Sequence, residues 1–332
     1  MTWSYEKAGV NLAAADSWVD AIKGLVGRVP RDPRVVGGIG GFSGLFRLQG
    51  DLLLAGCCDG VGTKVEVARE AGDYRGLGQD LVAMNVNDLV TCGARPLFFL
   101  DYLACGRLEV PVLSQVVAGV VDACAASDCV LLGGETAEMP GVYAPTGLDL
   151  AGFSVGMVRE ADLLTPDRVR PGDLLLGLSS SGVHSNGYSL VRSALLSGSE
   201  RLALEETPEG LDAPLGETLL RPTKLYVRPA LAAAATGKVR AMAHITGGGL
   251  EGNLVRVIPE GLKPELRYDA WERPEIFRLL SRRGVEEEEM RRVFNLGIGF
   301  VLVVPEDGEA AVCAALKGFG EEPRRIGRVV PA

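Results

Sequence analysis

The sequence predicts a two-domain α/β (α+β) subunit. Three observations carry this. The 332-residue length exceeds one typical core. Short apolar runs alternate with stretches of helical periodicity. A polar, proline-bearing stretch at 159–173, READLLTPDRVRPGD, divides the chain. The division expected is 1–160 and 161–332.

Residues 4–28 read as a loop entering a helix, with Asp16 as the expected N-cap and Trp18, Val19, Ile22, Leu25 and Val26 at helical spacing. The segment 34–46 is too rich in glycine for a helix or strand interior. LLLAGCCDG (52–60) is a buried strand ended by Asp-Gly. A helix is expected from Gln79 to Thr91, stopped by Gly93. PLFFLDYLACG (96–106) is a strand, Leu108 to Ser127 an amphipathic helix, CVLLGGETAEMPG (129–141) a strand running into a glycine turn, and LAGFSVGMV (150–158) a further strand. The second half repeats the style. It has a strand at 173–182, helices at 187–196 and 218–236, a glycine turn at 244–249, a strand at 298–304 and a ferredoxin-like finish through Val330. EEEEM (286–290) reads as a solvated helix start.

Hydrophobic residues make up 47% and charged residues 23%, ample for a sizeable core. The net charge of -9 gives no general attraction for nucleic acid or an anionic membrane. The cysteines at 57, 58, 92, 105, 124, 129 and 313 have no zinc-site spacing and read as reduced thiols of a cytoplasmic protein. The N-terminus lacks the pattern of a signal peptide, and no apolar run is long enough to span a bilayer.

Four clusters join glycine to carboxylate, hydroxyl or imidazole. Asp59-Gly60-Val61-Gly62-Thr63-Lys64 follows a strand. Asp59 is a hard oxygen ligand suited to Mg²⁺, the glycines free backbone N–H groups for phosphate, and Lys64 supplies a point charge. The bland alternative is a tight turn with a surface lysine. On the next helix Asp80, Met84, Asn87 and Asp88 occupy adjoining turns, and Asn85 lies three before Asp88. An unpaired carboxylate at Asp88, amid Val86, Leu89 and Val90, wants a metal or a cation. Otherwise it is a solvent-facing side chain. Gly133-Gly134-Glu135-Thr136 follows another strand, and Glu135 could complete a carboxylate set with Asp59 and Asp88. A plain strand-to-turn junction is about equally consistent with the letters. Ser179–Gly187 places Ser181, His184, Ser185 and Asn186 before a helix, a composition suited to anions. The other histidine of the two, His244, precedes Thr246-Gly247-Gly248-Gly249. A histidine is commonly a satisfied structural group, but here both lie in glycine loops. Neither a Walker P-loop nor a G-x-G-x-x-G that opens a helix is present. Gly38–Gly44 reads as a nucleotide-covering loop or as a hairpin, and Cys57-Cys58 as packing residues.

These segments, with SYEKAGVN (4–11), GGFSGLF (40–46), DLVAMNVNDLV (80–90), LLGGETAEMPGVY (131–143), SSSGVHSNGYSLVR (179–192), LLRPTKLYV (219–227), AHITGGGLEGNLVRVIP (243–259) and FNLGIGFVLVV (294–304), resemble the phosphoribosylformylglycinamidine cyclo-ligase (AIR synthase) family in order over nearly the whole chain. Cys57-Cys58 departs from the small or hydroxyl residue usual before the Asp.

The resemblance implies an N-terminal domain that forms a β-barrel across a homodimer, with ATP near that interface, and a C-terminal α/β sandwich domain. It implies that ATP and formylglycinamidine ribonucleotide become aminoimidazole ribonucleotide, ADP and phosphate. On that reading Asp59, Asp88 and Glu135 hold Mg²⁺, and K⁺ assistance stays open. Lys64 steadies phosphates. Lys23, Gly40, Gly41, Gly44, Gly60, Gly62, Thr63, Asn85 and Thr136 belong to the nucleotide region. Ser181, His184, Ser185 and Asn186 hold substrate, His184 moving a proton. His244, Thr246, Gly247 and Gly248 hold the ribose phosphate. The rival expectations are another ATP-using enzyme of this plan, such as a selenophosphate synthetase or thiamine-phosphate kinase, and a non-catalytic nucleotide-binding protein.

Overall fold

The computed structural model describes residues 3–332, except the side chains of Leu12, Ala13 and Asp16. The chain enters along its own C-terminal half: Trp3 bridges Val285, and the Tyr5 N–H donates to Glu289. Helix α1 (Leu12–Val26) follows, capped by Asn11, whose Oδ1 accepts the Ala14 N–H at 3.0 Å. Asp16 therefore lies inside the helix and is not its cap, and its side chain is outside the described residues. Trp18, Leu25 and Val26 are exposed on α1.

The N-terminal sheet has six strands: β1 (Val35–Val36), β2 (Gly44–Gln49), β3 (Leu52–Gly60), β4 (Arg95–Cys105), β5 (Val130–Glu138) and β6 (Leu148–Arg159), in the order β1-β2-β3-β6-β4-β5. Neighbours are antiparallel except β4 and β5, which are parallel and joined by α4 (Val110–Ala126). Helix α2 (Lys64–Ala71) follows β3, where the glycine-rich letters suggested only a loop. Helix α3 (Leu77–Val90) comes next, starting two residues before the expected Gln79. Leu77, Leu81 and Val86 of α3 and Val116 and Val120 of α4 pack on Phe99, Leu103 and Leu150 of the sheet. Gly78 lets α3 and α4 approach closely, since a Cβ there would stand 2.1 Å from the Val116 carbonyl oxygen. The opposite face of the sheet is open, exposing Tyr102 and Phe153.

The C-terminal sheet is wholly antiparallel: β7 (Leu174–Ser179), β8 (Ala241–His244), β9 (Leu262–Leu266), β10 (Ile298–Val304) and β11 (Arg324–Pro331), ordered β8-β10-β7-β11-β9. Strand β10 is buried along its whole length, which explains its uninterrupted apolar letters. One face carries α5 (Tyr188–Leu195), α8 (Gly249–Leu254), α9 (Glu275–Arg282) and α10 (Glu287–Val293). The other carries α7 (Val227–Ala234) and α11 (Glu309–Lys317). The domain is thus helices on both faces of one sheet.

The expected helix 218–236 is two helices, α6 (Leu215–Leu220) and α7. Arg221 is extended (ψ 124°) because Pro222 disfavours a helical residue before it. Residues 221–226 instead run against α3 without regular structure. The Asp80 carboxylate accepts the Thr223 N–H and hydroxyl at 2.7 Å each, while Asn87 accepts the Tyr226 N–H and donates to the Lys224 carbonyl. Helix α3 therefore joins the two domains through buried polar side chains.

Candidate active site

The end of β3 is fixed by α3. Asn85 accepts the Asp59 N–H at 2.9 Å and donates to the carbonyls of Asp59 and Leu81. Both ends of its amide are used, and Asn85 holds the strand. Gly60 has no room for a side chain, because a Cβ would lie 2.8 Å from the Leu150 carbonyl oxygen. The Asp59 carboxylate accepts the Gly60 N–H at 2.7 Å. Burial, then the like charge of Asp88, pushes its pKa up to about 6.

Asp88 is buried, as its apolar neighbours suggested, and it has found a hydrogen-bond partner within the chain. Its Oδ1 accepts from Nδ1 of His244 at 2.8 Å, and His244 is itself fully buried at the end of β8. This contact crosses from one domain to the other. Arg256, two residues beyond α8, adds positive charge near Asp59, Asp88 and Cys57. Its guanidinium donates to the carbonyls of Gly40 (3.3 Å) and Gly41 (2.8 Å) and lies 3.7 Å over the Phe42 ring. Arg256 thus ties Gly40 and Gly41 to the C-terminal domain.

A second group of side chains adjoins the first. His184 stands in the left-handed region (φ 65°), and its Nε2 accepts the Ser181 N–H at 3.2 Å. Its Nδ1 is buried with no partner among the described residues. Burial, then the nearby His244, holds its pKa well below the ordinary value, so the ring is neutral. The hydroxyl of Ser181 donates to the Pro222 carbonyl at 2.6 Å, and Ser185 meets the Thr223 hydroxyl at 3.2 Å. Asn186 accepts the Gly247 N–H at 3.0 Å and reaches Met84 of α3. The two glycine loops are therefore one construction, tied to α3.

The other expected site residues lie as follows. Lys64 is fully buried, 2.7 Å from Asp80 and donating to the Arg221 carbonyl at 2.8 Å. Glu135 does not join Asp59 and Asp88 within the chain. Asp59 pairs through Gly152 and Asp101 to Gly134, whereas Glu135 pairs with Tyr102 on the other face of the sheet, about 14 Å away at ~4.8 Å per strand. Accordingly no cluster of three metal-ligating side chains occurs among the described residues. Thr136 is likewise on the exposed strand β5. His244 is enclosed with Asp88. The Thr246 hydroxyl bonds Asn253 at 3.2 Å, and the Gly247 N–H is taken by Asn186. Gly248 instead turns the chain into α8 (φ 102°). Lys23 is exposed on α1 and paired with Asp20. Thr63 is exposed, with its hydroxyl 3.3 Å from Ser189; Gly62 (φ 67°) turns into α2, and Gly44 opens β2 opposite Gly56.

Arg256, Asn87 and the Lys64–Asp80 pair were not read as such from the sequence. Asp80 and Asn87 carried a signal, since polar residues on the apolar stripe of a helix need partners. Arg256 lay beside the TGGG motif but gave no signal of its own.

Two α/β domains joined through α3, with an acid pair at their junction, define the class. The family models for AIR synthase related protein match it, the N-terminal domain over residues 40–158 and the C-terminal domain over 170–332, and the chain belongs to this family. Within it the similarity is to the phosphoribosylformylglycinamidine cyclo-ligases: that of Myxococcus xanthus (strain DK1622) is 50% identical, covering 99% of this chain and 96% of the relative. A crystal structure from Thermus thermophilus superposes with a TM-score of 0.66 at 25% identity, covering 94% of each chain. The hydrogenase maturation protein HypE in complex with ATP shares the fold, with a TM-score of 0.61 at 20% identity over 86% of this chain and 78% of that one. Among the described residues no helix is long and apolar enough to cross a membrane.

Proposed function

We propose that this chain closes the imidazole ring of aminoimidazole ribonucleotide, using ATP and formylglycinamidine ribonucleotide and releasing ADP and phosphate. The observation that carries the reading is the Asp59–Asp88 pair at the domain junction, in a chain half identical to an enzyme of that name. A formamide carbonyl is a poor electrophile and its oxygen leaves badly. Transfer of the γ-phosphoryl group to that oxygen creates a leaving group. The amidine nitrogen of the same molecule then attacks the formyl carbon, and phosphate departs. Closure gains from proximity, so the protein's task is positioning and charge neutralisation.

The acid pair fits Mg²⁺. Both groups offer hard oxygens, and their mutual repulsion, felt in the raised Asp59 pKa, is relieved by added positive charge. Asp59 and Asp88 would hold the ion, which neutralises phosphate oxygens when bound. Glu135 would reach such a site only from a second copy. The open sheet face with exposed Tyr102 and Phe153 supports a homodimer built on the N-terminal domains, the barrel implied by the sequence. The unit that dimerises would be residues 1–160. Neutral His184 is suited to pass a proton at Nδ1, the ring nitrogen left without a partner when Nε2 accepts the Ser181 N–H.

The test is incubation of the pure protein with ATP, Mg²⁺ and formylglycinamidine ribonucleotide, reading aminoimidazole ribonucleotide by its diazo colour. Colour with matched ADP release is expected. ADP release without colour, or neither, would overturn the assignment.

A further inference from the structure

We propose that Arg256 is a positioning residue that seats the glycine-rich loop 37–42 across the domain junction, its charge acting through space on Asp59 and Asp88 without pairing directly with either. The loop joins β1 to β2 in the N-terminal domain, whereas Arg256 belongs to the C-terminal domain, so the contact spans the junction. Four features converge on its side chain. Nε and a terminal nitrogen donate to the Gly40 and Gly41 carbonyls, the other terminal nitrogen lies 3.3 Å from Asn253 Oδ1, and the planar face covers Phe42. Phe42 is in turn buried among C-terminal core residues. A guanidinium provides this fork and stacking plane together, and an ammonium does not.

The geometry has a consequence for the loop's own donors. A trans peptide points its N–H opposite to its carbonyl. With the carbonyls of Gly40 and Gly41 turned onto Arg256, the N–H groups of Gly41 and Phe42 face away from it. Among the described residues neither N–H has a hydrogen-bond partner. Arg256 thereby presents two free backbone donors, as an anion such as a nucleotide phosphate requires. Gly40, at φ 114°, takes a backbone conformation a side chain would resist.

The same charge, acting through space on Asp59 and Asp88, opposes a metal ion there. Removing it should therefore act in opposite directions on two ligands: the bare cation should bind better and the nucleotide worse. A merely structural arginine would weaken both. The proposal rests on the Mg²⁺–nucleotide reading of this site, and the experiment separates the two.

The whole chain is compared with Arg256→Ala and Arg256→Lys by hydrogen exchange over residues 37–44 without ligand, by Mn²⁺ titration followed by electron paramagnetic resonance, and by calorimetric titration with a non-hydrolysable ATP analogue. In Arg256→Ala, loop exchange should quicken about tenfold, Mn²⁺ alone should bind severalfold tighter, and the analogue should bind about tenfold more weakly. Arg256→Lys keeps the charge without the fork, so its Mn²⁺ affinity should stay near that of the unaltered protein while its loop exchanges as fast as in the alanine variant. Unchanged loop exchange in Arg256→Ala, or Mn²⁺ affinity that falls with the analogue's, would overturn the proposal. If the unaltered protein binds neither Mn²⁺ nor the analogue, the through-space role and the reading of the site fall together. Failure of the loop to loosen, with both ligands bound normally, removes Arg256 alone.

Discussion

The Nζ atom of Lys64 lies 2.7 Å from Oδ2 of Asp80, and neither side chain meets solvent. Burial pushes the lysine pKa down and Asp80 pushes it back up. Lys64→Met would leave Asp80 as an uncompensated buried charge on α3. The expected loss is about 3–5 kcal/mol of stability, read as the fall in a urea unfolding midpoint. A variant of unaltered stability that had lost only turnover would give Lys64 the phosphate role.

Asp88→Asn keeps the shape of the side chain but removes the charge facing His244 and any bound cation. Folding should be retained, with Mn²⁺ affinity lowered about 10–100-fold and turnover lost with it. Normal ring closure by this variant would take Asp88 out of the metal set.

His184 gives a pH dependence of definite sign. Its folded pKa is depressed by burial, so below the unfolded value of 6.5 the unfolded chain holds a proton that the folded chain lacks. Stability therefore falls as pH drops through 6.5, by up to about 1.4 kcal/mol per pH unit for this one proton. His184→Asn tolerates the left-handed backbone and should flatten that slope. Urea midpoints at several pH values between about 5 and 8 measure it, and an identical slope in the variant would contradict a buried neutral imidazole.

Glu135 is exposed on β5, so Glu135→Ala should change stability by no more than about 0.5 kcal/mol while lowering activity. If the second copy supplies this carboxylate, mixing inactive Asp59→Asn and Glu135→Ala chains restores one intact site in each mixed dimer. About a quarter of full activity should return on random exchange of subunits. No recovery, with subunit exchange demonstrated, would place Glu135 outside the partner's site.

Much of the framework was legible because burial leaves a pattern. Strands β3, β4 and β10 read as apolar runs, and the acidic start of α10 read as solvated. Asp88 was legible as a buried charge in need of a partner, but the letters could not say that His244 was within reach. The setting of Lys64 was not legible because a lysine after a glycine turn looks the same whether it meets phosphate or a carboxylate on the next helix. Glu135 misled through strand parity. The face a residue occupies depends on sheet register, and register depends on partners distant in sequence. The break at Pro222 was open to inspection, but the irregular segment after it exists because Asp80 and Asn87 hold its backbone.

That tethering makes α3 common property of both halves. Four of its inward-facing polar groups, Asp80, Asn85, Asn87 and Asp88, find their partners outside the helix. Cutting the gene between the halves would leave Asn85 its partner Asp59 and Asp80 its partner Lys64, but would strip Asp80 of Thr223 and strand Asn87 and Asp88 in an apolar setting, so neither piece inherits a self-sufficient interior. Heat should melt the molecule as a single cooperative block, with the catalytic cleft and the joint between domains vanishing at one temperature.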